Sequence, residues 1–135
     1  MIDTRTAPYA ALLLRVSAGV LFIAHALLKY LVFTMPGTVK FFDSVGFAGW
    51  LAYPVVAVEL IGGIMLVLGV SVRYVAVILG IELLFASSVH WNNGWPFNGK
   101  GGGWEYPVFW AIAMFVLALL GDGAYSLGRS GRKQA

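Results

Sequence analysis

The chain has 135 residues, 60% of them hydrophobic and 11% charged, against about 45–50% and about 25% in soluble domains. A mean hydropathy of +0.84 exceeds what one small core can hide, because a chain this short leaves much of its surface outside. That excludes a soluble domain and a disordered segment. Nine basic residues scattered among six acidic ones, net charge +3, also exclude a phosphate-tracking nucleic-acid binder. Without cysteine there is no disulfide framework, no thiol catalysis, no iron–sulfur cluster and no cysteine-based zinc site. A small polytopic membrane protein remains, with the lipid bilayer as its first partner.

Four apolar stretches, residues 8–33, 50–70, 74–91 and 106–120, approach the length needed to cross about 30 Å of hydrocarbon. None alternates with a period of two, so a β-barrel is not expected. Backbone groups in lipid must be satisfied internally, which predicts an all-α fold: one domain over residues 1–135, an antiparallel bundle of four transmembrane helices. Within the first stretch, Ala24-His25-Ala26 after an apolar run resembles a signal-peptide cleavage site. The apolar run continues through Phe33, which favours a retained helix.

Basic residues flanking the spans set the orientation. Arg5, Arg73, Arg129, Arg132 and Lys133 fall on one side, Lys40 and Lys100 on the other, which predicts a bacterial inner-membrane protein with both termini in the cytoplasm. The connection around Arg73 is then a tight inner turn. The first outer loop carries Phe41, Phe42, Asp43 and Phe47, a mixture suited to a short helix lying in the interface. The second, residues 92–104, is rich in glycine and tryptophan. It reads as an interfacial anchor or as a lid.

Ionisable residues inside the spans carry the functional signal. A charge at mid-bilayer costs roughly 2.5–3.5 kcal/mol even on gentle insertion scales, so such residues persist only if they pair, face a wet cavity or give up their charge. In the first span Arg15, Ala18, Phe22, His25 and Lys29 recur at helical spacing and form one stripe. Counting helical rise from the outer ends places His25, Lys29 and Glu59 at a common depth. Arg15 and Glu82 are expected to form a second, structural ion pair. Gly62 and Gly63 share the face of Glu59 and allow close helix approach. With His90 and Glu105 at the same mouth, five titratable groups surround one outward opening. Ion pairs that merely fix helix register are the competing explanation.

A membrane-dissolved quinone needs an apolar slot for its ring and a proton donor or acceptor at each carbonyl. Glu59 and His25 suit the proton chemistry, since histidine exchanges protons near neutral pH, and Lys29 suits polarisation of an oxygen. Phe41, Phe42, Trp91 and Trp95, with His90 and Glu105, suit binding of the ring. Bis-histidine haem on His25 and His90 is disfavoured by their different depths. No metal is expected, because no H-E-x-x-H-like motif supports one. The competing classes are a non-enzymatic adaptor that recruits soluble redox partners and an oligomeric small-solute transporter, although no inverted repeat or broken span is present.

An ordered series of short motifs adds to this reading. Leu14-Arg15-Val16, Gly19 and Phe22-Ile23-Ala24-His25-Ala26-Leu27-Leu28-Lys29 open it. Phe41-Phe42, Gly46, Glu59-Leu60-Ile61-Gly62-Gly63, Leu68-Gly69 and Arg73 follow. His90, Asn93-Gly94, Gly103-Trp104-Glu105 and Gly121-Asp122-Gly123-Ala124-Tyr125-Ser126-Leu127 close it. Together they resemble the DoxX family across nearly the whole chain. Ala26, where glycine commonly follows the histidine, and the long loop at residues 92–104 depart from the family pattern. The resemblance implies a four-helix inner-membrane bundle linked to quinone-coupled oxidation, as in the small subunit of a thiosulfate:quinone oxidoreductase. It also implies association with membrane oxidative-stress complexes containing superoxide dismutase and a sulfurtransferase. A redox partner subunit, soluble or membrane-bound, and homo-oligomerisation are therefore expected. Carried over by position, the polar set is Arg15, His25, Lys29, Glu59, Arg73, His90 and Glu105.

Overall fold

The structure, a computed structural model, describes residues 1–128. Arg129, Arg132 and Lys133, which entered the orientation count, lie outside the described residues. Five helices follow in order: α1 (Ala7–Leu27), α2 (Met35–Ser44), α3 (Ala52–Leu68), α4 (Val72–Val89) and α5 (Glu105–Leu120). The protein is all-α, and its apolar helices form a membrane bundle. With their flanking turns, three are long and apolar enough to span a bilayer, while α5 is shorter at 16 residues.

Local chemistry sets the ends. Pro8 sits in the first turn of α1, where its missing N–H costs nothing. Instead of stopping, α1 widens into a π-turn at Leu28–Val32. Thr34 then reverses the chain at φ 65°, and its hydroxyl accepts from the Gly37 N–H at 3.3 Å to start α2. This is the short helix expected in the first long loop. Asp43 closes the following turn by accepting from the Gly49 N–H at 2.9 Å. Gly69, at φ +79°, ends α3 with its N–H on the Met65 carbonyl at 2.8 Å. That left-handed position favours glycine because it carries no Cβ.

The bundle consists of two helix pairs, α1 against α3 and α4 against α5, joined along α3–α4 and α1–α5. Glycines permit the close approaches. A Cβ on Gly63 would lie 2.8 Å from the Gly19 carbonyl, and one on Gly80 would lie 2.9 Å from the Phe115 ring. Phe22, Leu66, Leu79, Met114 and Leu117 fill the core. Tyr74, Ile78, Ile81 and Phe85 form an exposed apolar stripe along α4, the face expected to meet lipid.

The two ends of the bundle differ. At the turn end, the segment after α5 stitches the pairs together: the Ala124 N–H donates to the Pro8 carbonyl at 3.0 Å and the Leu127 N–H to the Leu68 carbonyl at 3.0 Å. At the loop end the four long helices and the α2 segment enclose a cavity.

Candidate functional site

The cavity at the loop end has a volume of about 590 Å³, within the range of about 300–1,000 Å³ typical of small-molecule sites. All four long helices and the α2 segment line it. His25 and Lys29 come from α1 and its π-turn, Glu59 from α3, Glu82 and Phe85 from α4, and Tyr106 and Trp110 from α5. Phe41, Phe42 and Phe47 add aromatic wall from the α2 side, and His90 enters just after α4.

Its polar heart is one ion pair. Lys29 Nζ lies 2.6 Å from Glu59 Oε1, with the side chains 22% and 4% exposed. The π-turn helps to hold this lysine, since a π-turn loosens the helical ladder and frees carbonyls. The buried Thr38 hydroxyl lies 3.0 Å from the Lys29 carbonyl and 2.9 Å from that of Thr34, and so ties α2 to the lysine's own backbone. The close Gly19–Gly63 approach of α1 and α3 lies one turn further along α3 from Glu59. The Glu82 carboxyl lies against that of Glu59 and within electrostatic reach of Lys29. Its Oε2 is buried with no hydrogen-bond partner among the described residues.

Histidine geometry adds a proton site. The Nδ1 of His25 lies 2.8 Å from the Leu21 carbonyl. A carbonyl only accepts, so Nδ1 carries the hydrogen and neutral His25 keeps its Nε2 lone pair for another partner. His90 is held the same way, with Nδ1 at 3.2 Å from the Gly101 carbonyl. Trp110 packs against Phe22, His25 and Tyr106, at ring separations of 4.3, 5.0 and 5.8 Å. Its indole nitrogen has no partner among the described residues.

The structure therefore brings together His25, Lys29, Glu59, Phe41, Phe42 and His90. It does not bring Trp91, Trp95 or Glu105 into the cavity. Trp91 stacks on Trp104 with ring centroids 5.3 Å apart, and Trp95 is exposed. Glu105 sits at the start of α5, where the helix dipole favours an anion, and its Oε2 accepts from the Phe97 N–H at 3.1 Å. The loop they belong to is folded upon itself by its own bonds, including Asn93 Nδ2 to the Gly102 carbonyl at 2.8 Å.

The expected Arg15–Glu82 pair is also corrected. Arg15 is fully buried and points to the turn end, where its guanidinium donates to the carbonyls of Leu66, Val67, Asp122 and Ala124. The last carbonyls of a helix lack intrahelical partners, so the end of α3 offers a cation what Glu82, facing the other end, does not. Glu82 belongs to the cavity. A signal for this was present: seven residues separate Glu82 from the end of α4 and Glu59 from the start of α3, which puts both about 10 Å deep from the loop end. Tyr106 and Trp110 were likewise missed, although their i, i+4 spacing at the same end places them on one helix face.

Comparison with known proteins agrees with this architecture. A family model described as DoxX matches residues 10–91, more than half of the chain. A protein of Bacillus subtilis (strain 168) named "Putative oxidoreductase CatD" is 41% identical over 111 residues, which is 82% of this chain and 78% of that protein. No solved structure shows significant similarity to the chain. The family match begins in α1 and runs through α4, the helices that supply His25, Lys29, Glu59 and Glu82. This chain belongs to the DoxX family of membrane proteins.

Proposed function

We propose that this protein is the membrane component of a redox system and that its cavity takes the ring of a quinone or a similar apolar carrier. The observation that carries the reading is the Lys29–Glu59 pair, 2.6 Å long, set beside a second carboxyl and an imidazole in a cavity otherwise walled by aromatic and aliphatic side chains. Charges placed so deep in an apolar bundle mark functional sites by default. The name of the Bacillus relative points to the same class of chemistry.

A quinone supplies the acceptor for two electrons, which reach it from a soluble or membrane-bound partner subunit. Two protons then make each ring oxygen a hydroxyl. Lys29 donates a hydrogen bond to one oxygen and stabilises charge that builds there. Glu59 and Glu82 are the carboxyl groups beside it through which protons pass. His25, its Nδ1 committed to the Leu21 carbonyl, presents Nε2 as the exchanging atom. Phe42, Phe47 and Trp110 hold the ring and keep water out. The membrane is the bacterial inner membrane. Arg5 and Arg73 lie toward the turn end and Lys40 and Lys100 toward the loop end; the sequence carries Arg129, Arg132 and Lys133 after the last span, and this excess of basic residues supports cytoplasmic termini and a cavity that faces the periplasm.

Titration of the detergent-purified protein with a short-chain quinone, followed by tryptophan quenching, tests the assignment. Saturable binding is expected, weakened about tenfold in Glu59→Gln, equivalent to about 1.4 kcal/mol. Equal affinity in the two proteins, or none in either, overturns it.

A further inference from the structure

Where the cavity opens says what its ligand must be attached to. Of the side chains that line it, Phe41, Phe85 and Tyr106 are the exposed ones, at 50%, 64% and 46%. Glu59 is buried, and His25, Lys29, Glu82 and His90 are at most partly exposed. Polarity thus runs from a charged floor to an aromatic rim, the reverse of a cavity that opens to water. Phe85 is also the last member of the exposed stripe Tyr74, Ile78, Ile81 and Phe85 on α4, so one wall of the cavity is continuous with that apolar outer face. Phe85 lies four residues before the end of α4, about 6 Å inside the helix end. A second exposed rim residue, Phe41, belongs to α2, which packs on the 49–51 turn and on α3.

We infer that the cavity has a lateral portal to the lipid between α2 and the loop end of α4, and that the ligand is a lipid-dissolved carrier with a polyisoprenoid-type tail. This rests on the quinone reading of the site. The head sits at Lys29 and Glu59, and the tail leaves between Phe41 and Phe85 to lie along the Ile81 stripe. A tail suits this path because it removes the exposed aromatic rim from contact with headgroups and water without burying any polar group. A water-soluble ligand gains nothing from such a rim. The loop at residues 92–104 meets the cavity wall at His90, through the Gly101 carbonyl, and lies outside the portal.

The test uses the full chain in lipid nanodiscs and a quinone whose tail bears a diazirine near the ring. After irradiation, the labelled residues are located by mass spectrometry, with and without excess tail-less quinone. Label at Phe41, Phe85 or Ile81 that the tail-less quinone suppresses is expected. Phe85→Trp, which narrows the portal, is expected to lower that label severalfold, by more than it weakens tail-less quinone in the quenching titration. Suppressible label confined to Tyr106 or to residues 92–104 overturns the portal and leaves the head site standing. Label that tail-less quinone does not suppress also overturns it. In that case the quenching titration, which needs no tail, decides separately whether the head site fails too.

Discussion

At the turn end of the bundle, Arg15 spends its guanidinium on four main-chain carbonyls at 2.8 to 3.0 Å. At the loop end, Lys29, in the π-turn that continues the same helix, meets one carboxylate, while a neighbouring carboxyl keeps an oxygen without a partner among the described residues. Both are cations that a membrane helix carries at a cost, yet one environment is saturated and the other is left open. The first spends four of the five guanidinium N–H donors on main-chain carbonyls and so holds α1, the end of α3 and the segment after α5 in one place. The open one sits in a cavity and keeps unspent hydrogen-bonding capacity, which is what binding requires and what pure structure avoids. The comparison shows how to sort intramembrane charges: by counting the bonds that remain, not the charges.

The largest expected effect tests the saturated end. Arg15→Met takes the guanidinium from the Val67, Asp122 and Ala124 carbonyls and leaves the Leu66 carbonyl with the Gly69 N–H alone, and each buried acceptor left without a partner costs about 1–3 kcal/mol. Thermal melting in detergent should fall steeply, while whatever protein stays folded should bind short-chain quinone as before. Arg15→Lys should recover little, since an ammonium lacks the planar fork that reaches four carbonyls. Loss of quinone affinity in folded Arg15→Met would show that the two ends do not have separate tasks.

The glycine contact between the ends gives the next effect. A Cβ on Gly63 would stand 2.8 Å from the Gly19 carbonyl and 2.9 Å from Ile23 Cγ1. Gly63→Ala must therefore push α1 from α3, at about 1–3 kcal/mol for an overpacked contact. Because Glu59 lies one turn away on the same helix, this variant should lower both melting temperature and quinone affinity. A fall in stability alone would separate the glycine contact from the site.

Much of the fold was legible because lipid leaves the backbone few options. Composition and the lengths of the apolar runs were sufficient for an all-α membrane bundle, and the aromatic-rich 34–49 connection was recognisable as a short helix. The convergence of His25, Lys29 and Glu59 on one cavity was also legible, from helical spacing and depth alone. What stayed hidden were choices between partners. Arg15 satisfies itself on carbonyls, which leave no mark in a sequence, so a carboxylate of the right sign looked like its mate. The π-turn at Leu28–Val32 has no sequence signature either, and Trp91, Trp95 and Glu105 stood at the right end of the bundle but were consumed within their own loop. Depth can be read along a helix from residue counts, whereas the direction a side chain faces across the bundle depends on which helices pack together.

The open end makes a finer prediction about its two carboxyls. Since Glu82 lies against Glu59 within reach of Lys29, either carboxyl can serve the ammonium when the other is gone. Glu59→Gln and Glu82→Gln should each destabilise only modestly. The double variant should exceed their sum by about 0.5–3 kcal/mol, the range seen for groups in one network. A double-mutant cycle on chemical unfolding measures this, and simple additivity would show that Glu82 does not share the lysine.

The smallest expected effect concerns the loop that the sequence placed at the mouth. In Glu105→Gln an amide oxygen can still accept from the Phe97 N–H, but the charge that favours the start of α5 is lost, worth about 0.3–1 kcal/mol at a helix terminus. Melting temperature should shift slightly and quinone affinity should not move, because Glu105 belongs to the self-bonded loop and not to the cavity wall. The same holds for Trp91→Phe, which keeps a ring against Trp104. A clear loss of affinity in either variant would mean that the loop closes over the ligand, and the ligand's route would then run through the aqueous mouth instead of the lipid face.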